Sequence, residues 1–173
     1  YYEFNPGEIK PINGSGINYK NLNKKYALEN SAYFDVIHNI SKRFALRYGL
    51  RFNQFLRFKQ NGLNSYLNDN PVEYDSNLGI YKGAEAIGEF NINKNTLKAY
   101  GNIEPRLNVA YNFDNKSIKA SYNRLNQYIH LISNTSAPAP LDVWTPSGPY
   151  LKPQKLDQWA LGFQSKIKNK FNL

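Results

Sequence analysis

Between Phe44 and Phe58 the chain alternates apolar and polar positions with a period of two. The even positions hold Phe44, Leu46, Tyr48, Leu50, Phe52, Leu56 and Phe58, with Gln54 the one polar member. The odd positions hold Arg47, Arg51, Asn53 and Arg57 among Ala45, Gly49 and Phe55, and Arg43 precedes them in phase. Such alternation predicts a β-strand with two unlike faces. A half-buried strand of a soluble sheet would alternate in the same way. Length weighs against that reading, because strands of soluble domains usually run about five or six residues. A strand that crosses a membrane needs about 9–11 residues, with an apolar face toward lipid and a polar face toward an aqueous interior.

The pattern recurs along the chain. In ALENSAYFDVI, Leu28, Ala32, Phe34 and Val36 stand against Glu29, Ser31, Tyr33 and Asp35. In NIEPRLNVAYNF, Ile103, Pro105, Leu107, Val109, Tyr111 and Phe113 oppose Asn102, Glu104, Arg106, Asn108, Ala110 and Asn112. Pro105 has no N–H to give to a ladder, so a bulge, an edge or a local break is expected there. Ile118, Ala120 and Tyr122 oppose Lys119, Ser121 and Asn123, and the alternation blurs beyond Arg124. Trp159, Leu161 and Phe163 oppose Gln158, Ala160 and Gly162. Turn residues sit at NISK (Asn39 to Lys42), DNK (Asp114 to Lys116) and KNK (Lys168 to Lys170), whereas residues 59–100 and 131–156 read as long connections. The fold expected is all-β: one antiparallel transmembrane β-barrel section over residues 1–173, with short periplasmic turns and long extracellular loops. Energetics set the facing. A one-residue slip would turn Arg47 and Arg51 to lipid, at about 2–4 kcal/mol each near the midplane. The arginines are therefore expected to face water, with Phe44, Phe58, Tyr111 and Phe113 in interfacial girdles.

Charge sharpens this picture. Twenty-two Lys and Arg against thirteen Asp and Glu give a net charge of +9, which suits nucleic acid, an anionic surface or a basic interior. In the Phe44–Phe58 segment most aromatics lie on the face opposite the arginines, and a stacking platform for single-stranded nucleic acid needs both on one face; no nucleic-acid partner is expected. With no cysteine there is neither a disulfide frame nor a thiolate metal site. No apolar run approaches the 18 or so residues of a spanning helix.

The candidate chemistry lies on the polar face. Arg43, Arg47, Arg51, Arg57 and Arg106, with Glu29, Asp35 and Glu104, either bind an anionic ligand or pair with one another to support the wall. Mutual pairing is the simpler reading, and Arg47, Arg51, Arg106 and Glu104 are the ligand-binding candidates. His38 and His130 lack a second metal ligand at useful spacing. Glu73, Asp75, Glu85 and Glu89 fall in the first long connection without a partner for acid–base work. No catalytic, metal or cofactor set emerges, and an enzyme is not expected. Residues 59–100 are the candidate region for ligand contact at an outer surface. In NTSAPAPLDVWTPSGPYLKPQK, Trp144 and Tyr150 could stack on a sugar, although packing is the simpler reading. The sequons at Asn13 and Asn134 carry little weight in so asparagine-rich a chain.

The ordered blocks YGLRF, EPRL, SIKASYNR with QYIHL, DVWTPS, and KPQ with DQWALG resemble the barrel of Bacteroidetes-type TonB-dependent outer-membrane receptors. The resemblance covers about Lys24 to Phe163. It implies a barrel of about 22 strands plugged from within, located in the outer membrane of a Gram-negative bacterium and importing a ligand with energy delivered through TonB. The implied partners are the TonB complex, reached through a plug, outer-membrane lipid, the imported ligand and a surface lipoprotein. Neither a plug domain nor a TonB box is recognisable in these residues, so the chain is expected to be an internal section of such a barrel. A non-transporting outer-membrane barrel, such as an adhesin or a secretion-linked protein, and a soluble basic sheet are the alternatives.

Overall fold

The computed structural model describes residues 1–10, 20–89, 95–133, 142–167 and 171–172. The KNK turn and both sequons lie outside them. The chain is all-β, and its only helical segment among the described residues is the 3-10 turn Leu67–Asp69. Seven strands make the main sheet: β1 (Tyr2–Phe4), β2 (Lys25–Asn39), β3 (Phe44–Phe58), β4 (Thr96–Asn112), β5 (Lys116–Gln127), β6 (Gln154–Ile167) and β7 (Phe171–Asn172). They lie side by side in chain order, and the β1–β2, β4–β5, β5–β6 and β6–β7 pairs are antiparallel. β2 and β3 have fifteen residues each and β4 seventeen, well beyond an ordinary soluble strand. The β2–β3 turn is residues 40–43 and the β4–β5 turn residues 113–115.

Contacts divide the chain into two compact units. The first comprises residues 1–29, 55–99 and 128–153, and the second residues 30–54, 100–127 and 154–173.

In the second unit, register sorts the side chains by polarity, because directly paired residues project from the same face. Leu107, Tyr122 and Trp159 form one cross-strand row, Val109, Ala120 and Leu161 the next, and Tyr111, Ile118 and Phe163 a third. The alternate rows are Arg106, Asn123 and Gln158; Asn108, Ser121 and Ala160; and Ala110, Lys119 and Gly162. The parity of three separate sequence segments is thus locked into two continuous faces. Gly49 fits a close approach of β3 to β2, since a Cβ there would lie 2.7 Å from the Phe34 carbonyl oxygen.

The first unit holds what the sequence alone left as long connections. Residues 64–89 fold into nested antiparallel hairpins, with Val72–Asp75 pairing Ile80–Gly83 inside Asn64–Tyr66 pairing Ala86–Glu89. Ile129–Ser133 pairs Asp142–Pro146. Phe55 and Tyr128 stack at 4.8 Å, nearly parallel, and both are buried, as is Ala27. Local hydrogen bonds shape these hairpins: the Asp75 carboxylate accepts the N–H groups of Asn77 and Leu78, an Asx turn that closes its hairpin. The blurring beyond Arg124 also finds its reason here. β5 continues to Gln127, Tyr128 breaks it, and Ile129 begins a new hairpin.

Candidate functional site

Burial in the second unit runs opposite to that of a soluble domain. Its buried residues are Asn53, Ser117 and Glu104, all polar. Many of its large apolar side chains stand in the open: Trp159, Leu161 and Phe163 are 76%, 81% and 61% exposed, and Phe34, Phe52, Ile103, Leu107 and Ile118 are exposed as well. A sheet in water hides its apolar face against a second layer, and here the apolar rows have no such cover among the described residues.

The opposite face carries a connected polar network. Arg47 Nε donates to Asp35 Oδ1 at 2.8 Å. Arg51 Nη2 donates to Ser31 Oγ at 2.9 Å, and its Nε donates to Asn53 Oδ1 at 2.7 Å. Asn53 Nδ2 donates in turn to Glu104 Oε1 at 2.8 Å. The same oxygen accepts the Asn126 backbone N–H at 2.8 Å and Asn126 Nδ2 at 3.1 Å. One chain of hydrogen bonds therefore links β2, β3, β4 and β5. The Glu104–Asn126 bond also explains how the sheet accommodates Pro105. Regular β4–β5 pairing ends at Arg106, and the Glu104 carboxylate takes up a strand N–H that the adjoining backbone leaves unmatched.

Of the four ligand-binding candidates, Arg47, Arg51 and Arg106 come together. With Asp35 they line a recess of about 390 Å³ that Tyr33, Phe34 and Leu50 complete. Glu104 joins Arg51 through Asn53 and is absent from that lining. Arg43 lies elsewhere and bridges Asp114 at 2.9 Å. Arg57 is buried in the first unit, where its guanidinium donates to the Tyr26 carbonyl oxygen and to the Gln60 side chain. The linking residues Ser31, Asn53 and Asn126 stand out only once register is known, although Asn53 shares the parity of Arg51.

The chain matches no family model, no curated protein and no solved structure. Its chemistry is therefore read from its own geometry. Tyr122 and Arg124 both bond Asp157, at 2.7 and 2.6 Å, on the parity of the apolar rows and immediately past the Tyr122–Trp159 ring pair. This ion pair marks where the apolar face gives way to a polar one. Phe44 and Phe113 flank Tyr111 at 6.4 and 4.8 Å, an aromatic cluster toward the tight turns.

In the first unit, His130 Nε2 lies 2.8 Å from Ser147 Oγ, with both residues buried. Burial holds the imidazole pKa below its ordinary value. A serine with no exposed surface cannot meet a substrate, so the pair ties the 129–133 hairpin to the segment after Pro146. Tyr150 donates to the Asn64 carbonyl oxygen at 3.0 Å and packs edge-on against Tyr66, while Trp144 is exposed. Lys82 bridges Asp75 at 3.3 Å, and Glu73, Glu85 and Glu89 are exposed. His38 is exposed near the end of β2. No group of three His, Cys, Asp or Glu side chains with metal-binding geometry occurs among the described residues.

Proposed function

We propose that this chain is a section of the wall of an outer-membrane β-barrel, with its apolar rows against lipid and its arginine-bearing face toward an aqueous interior. The observation that carries this reading is the reversal of burial in the second unit, where the buried side chains among the described residues are polar and large apolar ones of the β4–β6 rows, such as Leu107, Ile118, Trp159, Leu161 and Phe163, are exposed. Hydrocarbon removes the penalty on an exposed apolar row and imposes a heavy one on an exposed guanidinium. The dimensions agree. From Ile103 to Phe113 the apolar positions cover ten residue steps, roughly 34 Å of strand at about 3.4 Å per residue. A tilt of roughly 45° projects that to about 24 Å, close to the apolar band of about 25 Å in such barrels.

The specific role proposed is that of a TonB-dependent receptor. The tight turns at 40–43 and 113–115 lie at the periplasmic rim, and the hairpins of the first unit form extracellular loops that capture a ligand for energised import. The ordered sequence blocks support this role. A plug coupled to TonB, outer-membrane lipid, the imported ligand and a surface lipoprotein are its partners. Two experiments test the proposal at its two levels. In vesicles of brominated phospholipid, the gene product carrying this chain, with Trp144→Phe, should show strong quenching of Trp159 fluorescence; a water-soluble product without quenching would overturn the membrane reading. The reading frame upstream of Tyr1 should encode a plug preceded by a TonB box, and a frame encoding neither would remove the transport role while leaving the barrel standing.

A further inference from the structure

The recess lined by Arg47, Arg51, Arg106 and Asp35 brings three guanidiniums against a single carboxylate among its lining residues. Asp35 is taken by Arg47, and Arg51 is held in place by bonds that include those to Ser31 and Asn53. The guanidinium of Arg106, half-buried on β4, makes no hydrogen bond or ion pair among the described residues. A guanidinium presents five donors in a rigid fork that matches carboxylate and phosphate oxygens two at a time. The network around Arg51 orients one guanidinium and the Asp35 bridge orients a second, leaving Arg106 to supply the open fork. Preorganisation of this kind lowers the cost of holding an anion.

We propose that this recess binds an oxyanion, a carboxylate or phosphate group of a soluble ligand, with Arg106 as its principal contact and Arg47 and Arg51 as flanking cations. The charged groups of the site share one face of the sheet, and their proposed role stands whether the apolar face meets lipid or water, so its test is separate from that of the barrel.

The experiment is arginine-specific dicarbonyl labelling of the whole gene product in detergent, mapped by peptide mass spectrometry, with inorganic phosphate and acetate as probes. Saturating phosphate should slow labelling of Arg106 about ten-fold or more, as expected for loss of access to charge-assisted hydrogen bonds, while Arg43 reacts at an unchanged rate. Acetate should protect the same residue and so extend the site to carboxylates; protection by phosphate alone would restrict it to phosphoryl groups. Arg51→Gln should raise the phosphate concentration needed for half-protection, and thermal unfolding of the variant checks that the sheet is intact. Three results would each overturn the proposal: an Arg106 inert to labelling without any anion, equal slowing of Arg43 and Arg106, or equal protection by chloride at matched ionic strength.

Discussion

Leu161→Arg is the substitution that separates a lipid-facing wall from a wet sheet. Leu161 is 81% exposed and sits in the row of Val109 and Ala120, between the Leu107, Tyr122 and Trp159 row and the Tyr111, Ile118 and Phe163 row. It therefore occupies the middle of the apolar face of β4 to β6. In water, an arginine at so exposed a position would change stability by about 0.5 kcal/mol or less. Against hydrocarbon near the midplane it should cost about 2–4 kcal/mol, a shift of roughly 30- to 700-fold in the folding equilibrium. The adjacent Ala160 projects from the opposite face, in the row of Asn108 and Ser121, so Ala160→Arg is the internal control and should stay within about 0.5 kcal/mol of the parent. Urea unfolding of the gene product in phospholipid vesicles, followed by tryptophan fluorescence, measures both. Equal stabilities for the two variants, or a greater loss for Ala160→Arg, would refute the assignment of faces.

Other consequences can be measured in the same system. Glu104→Ala leaves three donors on Asn53 and Asn126 without their acceptor and should destabilise the protein by at least about 2 kcal/mol, with faster amide exchange at Asn126. Gly49→Ala drives a methyl group against the Phe34 carbonyl oxygen at 2.7 Å; it should cost about 1–3 kcal/mol and be read in the amides of β2 and β3, whereas Gly162→Ala, with open space around it, should be tolerated. Because burial lowers the His130 pKa, the unfolded chain takes up a proton at higher pH than the folded one. Stability is therefore greatest above the ordinary histidine value near about 6.5 and falls as pH drops from there through the folded pKa. Amide exchange in residues 129–133 should accelerate over that window, and His130→Gln should flatten the response.

The strands and their two faces were legible in the residues because side-chain direction alternates with backbone geometry alone. Each run of alternating residues carries its own parity, whatever lies beside it. Pro105 could be marked as a break in the ladder for an equally local reason, its missing N–H. The partner that mends the break was not legible. Glu104 meets Asn126 and Asn53 only because β3, β4 and β5 align in one particular register, and no residue states its own cross-strand neighbour. The same holds for the recess: Arg47 and Arg51 lie four residues apart on one strand, but Arg106, more than fifty residues later, joins them through sheet order. The nested hairpins of residues 64–89 escaped notice because their strands are too short to show a period. Local stereochemistry thus dictated polarity and strand direction, while partners, closures and the charge of the recess awaited long-range alignment, which turns and cross-strand hydrogen bonds set collectively.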